Sequence, residues 1–178
     1  MRIKFVRLLS SVLALSAFLP ALAAPARSNG PDSSDAPTIT LCGATQARRI
    51  GLRDKKCFVV IQNKTKAAMN VWAEDCSWGW SNISFEVKAG SKVLPINRAE
   101  INWKRNFPMP LKLLPGDMCV REISLEDRTW SWNKVVDFCK ENQHASISAK
   151  LEIESDYSSK AEKVWTGAVR SASSCELY

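Results

Sequence analysis

The chain has 178 residues, with 25 lysine and arginine residues against 18 acidic ones and a formal net charge of +7. This length fits one domain, and no stretch beyond the first 23 residues approaches the ~20 apolar residues that a transmembrane helix needs. A single histidine and the lack of any C-x-x-C or C-x-x-H spacing disfavour a zinc site.

The N-terminus has the three-part layout of a secretory signal peptide. The segment MRIKFVR carries Arg2, Lys4 and Arg7, the apolar run LLSSVLALSAFLP follows, and ALA stands at positions 21–23. We therefore predict a signal peptide over residues 1–23 and a periplasmic or secreted protein without a membrane span. Its removal takes away three basic residues and no acidic one, so the charge falls from +7 to +4. That charge is too low to indicate a nucleic-acid partner.

Residues 24–37, APARSNGPDSSDAP, have almost nothing to bury, so we predict a flexible leader there. Runs rich in β-branched and aromatic residues follow: TITLC, CFVVIQN, AMNVWAE, ISFEV and SKVLPI, then MCVREISL, ASISAKLEIES, KVWTGAVRS and SCELY. Prolines at 108, 110 and 115 exclude a regular helix between the two groups. The segment LEDRTWSWNKVVDFCKENQ is the one candidate for a helix.

About eight short extended runs, separated by turn residues, indicate an all-β sandwich. We predict one domain over residues 38–178, a two-sheet β-sandwich with disulfides and at most one short helix. An even number of cysteines in an exported chain indicates disulfides, and their pairing stays open. The six are Cys42, Cys57, Cys76, Cys119, Cys139 and Cys175.

Three segments resemble a loosely defined group of immunoglobulin-like β-sandwich domains in exported bacterial proteins. They are NKTKAAMNVWAEDCSWGWSNISFEV, NWKRNFPMPLKLLPGD and KVWTGAVRS. In that group an N-x-T turn precedes a strand, an SWG segment leads into S-F-E-V, and a VWTG element closes the sheet. The match covers roughly residues 59–171 and departs from the pattern over 128–142. The resemblance implies an immunoglobulin-like fold and an envelope or extracellular setting, and it transfers no catalytic residue.

We predict no enzymatic activity, no cofactor and no metal site. The sequence has no G-x-S-x-G elbow, no H-E-x-x-H pair and no phosphate-binding G-x-x-x-x-G-K loop. The single histidine, His144, follows polar residues and precedes a strand, which favours an ordinary exposed loop residue. Acidic pairs such as Glu74 with Asp75 and Glu152 with Glu154 carry no specificity in a chain with 18 acids. A hydrolase is the least favoured class, since it would require two carboxylates converging in a pocket.

Two pairs of tryptophans are the candidates for a binding surface. Trp78 and Trp80 lie in CSWGW, and Trp130 and Trp132 lie in RTWSWNKVVDFC. Each pair is spaced by two, so on an extended segment both indoles would face the same way, as a binding platform requires. Sandwich cores also bury tryptophan beside a disulfide. Packing is therefore the favoured role for the first pair, which we keep as a secondary binding candidate.

We predict a binding module whose partner is a protein in the envelope or outside the cell, acting in inhibition, immunity-type neutralisation or assembly. Trp130 and Trp132 would be its apolar anchor, and Arg128, Lys134 and Lys140 its basic rim. The alternative is a module that binds carbohydrate or peptidoglycan. It needs coplanar exposed indoles with Asn, Asp or Arg side chains beside them.

Overall fold

The structure, a computed structural model, describes residues 35–44, 48–51, 54, 56–104, 106–142 and 144–177. The predicted signal peptide over residues 1–23 lies outside these residues, as does the predicted leader except for its last three positions. Both stay predictions. Of the three described leader residues, Pro37 is already buried, directly before the first strand.

Eleven strands and three helices follow one another in the part of the chain that the structure describes. The strands are β1 (Thr38–Gly43), β2 (Arg49–Ile50), β3 (Lys56–Gln62), β4 (Met69–Trp72), β5 (Ile83–Ala89), β6 (Lys92–Ile96), β7 (Pro110–Leu113), β8 (Met118–Ser124), β9 (Ser146–Ile153), β10 (Gly167–Arg170) and β11 (Cys175–Leu177). The helices are α1 (Ser77–Trp80), α2 (Trp132–Glu141) and α3 (Tyr157–Ala161).

The strands form three sheets. The first has the order β1-β3-β8, with both pairs antiparallel. The second has the order β2-β11-β9-β5-β6, and β10 also pairs with β9. In it β2 and β11 are parallel, whereas β9 is antiparallel to β5, β10 and β11. The third is an antiparallel ribbon of β4 and β7. The predicted all-β class is confirmed to the extent that the described chain is mostly β, but its strands form three sheets and not the two predicted, because β4 and β7 pair as a separate ribbon.

Alternating side chains of the two larger sheets form the core. Val59 and Ile61 of β3, Phe85 of β5, and Ala149 and Leu151 of β9 each expose 1% of their surface or less. Their neighbours in sequence point away from the core, as the period of two in a strand requires. Burial of a large apolar side chain stabilises the fold by about 1.5–3 kcal/mol. The alternation that predicted these strands therefore also identifies the core.

The prediction of at most one short helix is wrong. The candidate segment forms α2, which is ten residues long and buries Trp132 and Val135 one turn apart. The helix α3 begins with a capping box, in which Asp156 accepts a hydrogen bond from the backbone N–H of Ser159 and the Ser159 hydroxyl accepts one from the N–H of Asp156. That D-x-x-S pattern is a helix start signal.

The helix α1 occupies the SWGW segment, for which a binding platform would have required an extended backbone. Its first turn closes with bonds from the backbone N–H groups of Gly79 and Trp80 to the carbonyl of Cys76. Gly79 lies so close to the backbone of Ala73 that a Cβ there would lie 1.8 Å from the Ala73 carbonyl oxygen. The lack of a side chain at residue 79 therefore allows a helical turn to pack against the end of β4.

The disulfide bonds of the predicted fold are not seen. All six cysteines lie in the described residues, and no bond joins the Sγ atoms of any two of them. Burial is the main cause that raises the pKa of the Cys57 thiol to about 12, and the nearby Cys175 and Cys42 add to it. The pairing of Gly43 with Cys57 and the approach of the Cys175 Sγ to within 3.2 Å of the Leu41 carbonyl oxygen place Cys42, Cys57 and Cys175 in one region.

Candidate functional site

The structure buries the two tryptophans that the sequence suggested as the main binding anchor. Trp130 and Trp132 expose only 4% and 8% of their surface. Their rings lie 5.2 Å and 5.3 Å from that of Phe85, between centroids, and 5.9 Å from each other. The indole N–H of Trp132 donates to the carbonyl of Ser124 over 3.2 Å. The prediction of an exposed loop that presents these indoles is therefore wrong.

The predicted basic rim is exposed but surrounds no apolar anchor. Arg128 lies in the turn before the helix α2 and Lys134 lies on its outer side, and both side chains are exposed. Trp132 occupies the first position of α2, on the face that also buries Val135. The structure thus separates the charged residues of this segment, which face water, from its tryptophans, which face the core.

The second pair, Trp78 and Trp80, does not form a coplanar platform. Two residues along a helix are about 200° apart around its axis, so the two indoles leave α1 on different sides. Trp80 is covered, because the guanidinium carbon of Arg98 lies 3.3 Å from its ring centroid and Trp103 meets it edge-on at 5.8 Å. Its N–H donates to the carbonyl of Ala99 over 2.8 Å. Trp80 therefore has a packing role.

Arg98 fixes the segment that covers Trp80. Its Nη1 lies 2.6 Å from a carboxylate oxygen of Glu74, and its Nη2 lies 3.6 Å from one of Asp127. The Arg98 side chain is only 10% exposed, so water screens these charges less than it screens a surface pair. A guanidinium that stacks on an indole and binds two carboxylates holds α1 in one position against the loop after β6.

Trp78, on the other side of α1, is half-buried and lines a polar pocket of about 350 Å³. Its ring centroid lies 6.0 Å from that of the buried Trp72, which also contributes to the pocket wall. Most of the remaining wall is polar. The other lining residues are Ser81, Asn82, Ser84, Asn97, Glu152, Ile153, Glu154 and Asp156.

The second sheet brings these polar residues together. In the register of β5 with β9, Ser84 lies opposite Lys150, and the backbone N–H of Glu152 donates to the carbonyl of Asn82 over 2.9 Å. On the other side of β5, Phe85 pairs with Ile96, so Asn97 continues beside Ser84. The pocket thus lies near α1, where β9, β5 and β6, three neighbouring strands of the second sheet, lie side by side.

The pocket wall is acidic. It contains three carboxylates and no lysine, arginine or histidine. The backbone N–H of Ser159 donates to Asp156, and this hydrogen bond holds the pKa of that carboxyl below its usual range, so it is ionised at neutral pH. One oxygen of Glu152 lies 2.5 Å from the ammonium of Lys150. Glu154 forms no ion pair within the described residues.

Asn82 lines the same wall, and its side-chain nitrogen is buried. That nitrogen has no hydrogen-bond acceptor among the described residues, although the backbone carbonyl of Asn82 accepts the N–H of Glu152. A buried donor without a partner costs about 1–3 kcal/mol. Because the nitrogen is inaccessible to solvent, it does not present a donor to a ligand in the pocket.

A second pocket, of about 250 Å³, is lined mainly by apolar side chains, among them Trp132, Val135 and Ile147. It also includes Gly51, and the next two residues of the chain lie outside the described part. Its wall offers few polar groups that would orient a ligand. We therefore place the candidate site at the pocket beside Trp78.

The sequence did not predict that the polar residues of this pocket form a site. Glu152 and Glu154 stood out only as one acidic pair among several, Asn82 only as a turn-forming asparagine, and Asn97 carried no signal. The D-x-x-S pattern of Asp156 is the one local signal in the set, and it indicates a helix start rather than a ligand. The site depends on contacts between distant segments.

No protein-family model, curated protein or solved structure matches the chain. The resemblance to immunoglobulin-like domains of exported proteins therefore stays a prediction. Among the described helices, none has the length and apolar character to cross a bilayer. The described side chains include no group of three or more His, Cys, Asp or Glu residues placed to hold a metal ion.

Proposed function

We propose that the protein is an exported, non-enzymatic binding module that takes a glycan in the pocket beside Trp78. The observation that carries the proposal is the combination of a half-buried indole with amide, hydroxyl and carboxylate groups around one concavity. A sugar ring has an apolar C–H face, which packs on an indole, and a rim of hydroxyls, which bond to such polar groups. The sequence favoured a protein partner through Trp130 and Trp132, and their burial removes that anchor. Trp78 and Trp80 do not form the coplanar pair expected of a glycan binder, so the proposal rests on the single indole of Trp78.

The size of the pocket suits a short ligand. About 350 Å³ is at the small end of the range for small-molecule sites, roughly 300–1,000 Å³. An end of a glycan chain fits such a pocket better than a long internal segment, which would need an open groove. The proposed ligand is therefore a terminal sugar or a short oligosaccharide, such as a fragment of peptidoglycan.

The carboxylates of the pocket support binding rather than hydrolysis. A glycosidase needs one carboxylic acid that stays protonated to donate to the leaving oxygen. Here a hydrogen bond from Ser159 lowers the pKa of Asp156, and Lys150 pairs with Glu152. The hydrogen bond favours the ionised form of Asp156, and the ion pair engages Glu152 with the protein itself. We therefore keep the proposal of a non-catalytic module.

The Trp78→Ala variant tests the proposed function. We expect wild-type protein to bind a β-1,4-linked N-acetylhexosamine tetrasaccharide in isothermal titration calorimetry, and the variant to bind it at least about tenfold more weakly, since it loses the stacking face. Phe107→Ala is the matched control, because Phe107 is 71% exposed and does not line the pocket. It should bind as the wild type does.

Two results would contradict the proposal. One is the absence of binding to this tetrasaccharide and to peptidoglycan fragments by folded wild-type protein. The other is equal binding by wild type and Trp78→Ala. If no glycan binds while one envelope protein is captured by the wild-type domain, the protein-partner alternative returns to first place.

The finer description of the fold is part of the proposal. An immunoglobulin-like sandwich held by disulfides is supported by the two larger sheets and by the grouping of three cysteines. Gly43 pairs with Cys57 and Cys42 with Phe58 between β1 and β3, so the backbones of Cys42 and Cys57 lie one register step apart. The Sγ of Cys175 lies 3.2 Å from the carbonyl oxygen of Leu41, the residue before Cys42.

We expect the exported, oxidised protein to contain a disulfide from Cys175 to Cys42 or Cys57. Its reduction should lower the free energy of unfolding by about 2–4 kcal/mol. Peptide mapping by mass spectrometry, after alkylation without reductant, would detect the linked peptides. Recovery of all three cysteines in alkylated form from protein unfolded before alkylation would contradict this expectation.

A further inference from the structure

We infer that the protein docks on an anionic lipid surface through a corner of the fold, apart from the pocket beside Trp78. The corner consists of residues 63–68, which link β3 to β4, and residues 112–118, which run from the end of β7 into β8. None of these residues lines either of the two pockets described above. The inference is independent of the proposed function, and it follows from exposed apolar side chains beside unpaired lysines.

The buried Asn63 joins the two halves of the corner. It exposes 0% of its surface, and its side-chain amide donates to the carbonyls of Ala67 and Leu113 over 2.8 Å and 3.0 Å. Its backbone N–H donates to the carbonyl of Asp117, and its own carbonyl accepts the N–H of Gly116. These bonds hold the two connections against each other, so their exposed side chains belong to one surface.

The corner exposes large apolar side chains. Leu114 is 48% exposed and Met118 is 42% exposed, and the turn between them is closed by a bond from the N–H of Asp117 to the carbonyl of Leu114. Val120, two residues further along β8 and therefore on the same side of the strand as Met118, is 50% exposed. All five residues from 114 to 118 are exposed. Such a run projects from the surface, and projecting apolar side chains enter the boundary between lipid headgroups and acyl chains.

The charges of the corner complement an anionic surface. Lys64, Lys66 and Lys112 are exposed and form no ion pair within the described residues. Asp117 is the one acidic residue of the corner, and its carboxylate accepts the backbone N–H of Leu114 over 2.9 Å. Lysines near an anionic leaflet are attracted to it, and each adds to the affinity. Three unpaired lysines beside apolar side chains therefore supply both contributions that peripheral lipid binding needs.

A protein partner is less favoured by the same observations. Protein interfaces concentrate their binding energy in Trp, Tyr and Arg side chains that fill pockets. The corner contains none of these residue types, and neither described pocket reaches it. Lysine is a strongly hydrated point charge, which suits the loosely ordered headgroups of a lipid surface.

Co-sedimentation of the protein with vesicles tests the inference. One set of vesicles is an equal mixture of phosphatidylglycerol and phosphatidylcholine, and the other is phosphatidylcholine alone. Lys64→Gln/Lys66→Gln should weaken binding to the anionic vesicles at least about tenfold, since each lysine contributes roughly fivefold. Leu114→Ser/Met118→Ser should weaken it about tenfold, because the apolar groups that enter the lipid are lost. These four side chains are exposed, so their replacement leaves the core intact.

The matched control is Lys92→Gln/Val93→Ser, which removes an exposed lysine and a 52% exposed valine from β6 in the second sheet. Support for the inference is binding of wild type and control to the anionic vesicles alone, with the expected losses in both corner variants. Binding should also weaken in about 1 M salt, where charges are screened over ~3 Å. Each of four outcomes overturns the inference: no binding by folded wild type, unchanged binding by either corner variant, an equal loss in the control, or binding of polyglutamate but not of anionic vesicles. The last of these would favour an acidic protein partner.

Discussion

The Trp130→Ala substitution should lower the free energy of unfolding by about 3–5 kcal/mol, the usual cost of removing a large buried aromatic side chain. Trp130 is 4% exposed and meets Phe85 edge-on. Its ring also lies 5.9 Å from that of Trp132 and 5.4 Å from the guanidinium carbon of Arg98. Its truncation therefore opens a cavity among three aromatic and cationic neighbours. Urea unfolding, followed by circular dichroism, measures the loss.

The control for this prediction is Phe107→Ala, which removes an aromatic ring that is 71% exposed. Its effect should stay within about 0.5 kcal/mol. The contrary outcome is an unchanged stability of Trp130→Ala together with lost capture of a protein partner. That outcome would restore the interpretation from sequence, in which Trp130 is a surface anchor.

The Gly79→Ala substitution should lower the free energy of unfolding by about 3 kcal/mol, at the upper end of the usual cost of overpacking. The added Cβ would lie 1.8 Å from the carbonyl oxygen of Ala73 and 2.6 Å from its carbon. Both are backbone atoms, which have less freedom to move aside than the end of a side chain. The helix α1 must therefore shift, and because Trp78 precedes Gly79, glycan binding should weaken as well.

Gly90→Ala is the matched control for Gly79→Ala. Gly90 has φ +58°, and a Cβ there would meet no atom within 4 Å. The cost is then only the left-handed backbone, roughly 1 kcal/mol, with no effect on the glycan affinity. Thermal unfolding and titration of both variants separate the two causes. A Gly79→Ala protein as stable as Gly90→Ala would show that α1 does not pack against Ala73 as described.

Most strands of the larger sheets were predictable because each carries its own signal, whereas the two-residue β2 lies in no predicted run. In β9 the alternation of Ile147, Ala149, Leu151 and Ile153 with polar neighbours places one face in the core, and all four are buried. The same holds for Ile83, Phe85 and Val87 of β5. A period of two needs no information from the rest of the chain.

The tryptophan segments were not predictable in this way, because a spacing of two is compatible with a strand or with the start of a helix. In CSWGW the helical conformation depends on Gly79, which permits contact with Ala73, and the local sequence does not show that contact. In TWSW the helical conformation depends on Val135, which is buried one turn after Trp132. The candidate site was hidden for a related reason, since Asn82, Asn97 and Glu154 meet only after the sheet has formed.

The position of β11 has a consequence for the speed of folding. This strand lies between β2 and β9 in the larger sheet, so residues near 49, 147 and 176 must meet before that sheet is complete. The paired residues are far apart in sequence. The chain therefore loses the entropy of closing the intervening loops before the stabilising contacts between the strands have formed. The chain should therefore fold on the slow, millisecond-to-second timescale of all-β domains. The start of β9, at Ser146 and Ile147, stays unpaired on that edge until β11 binds.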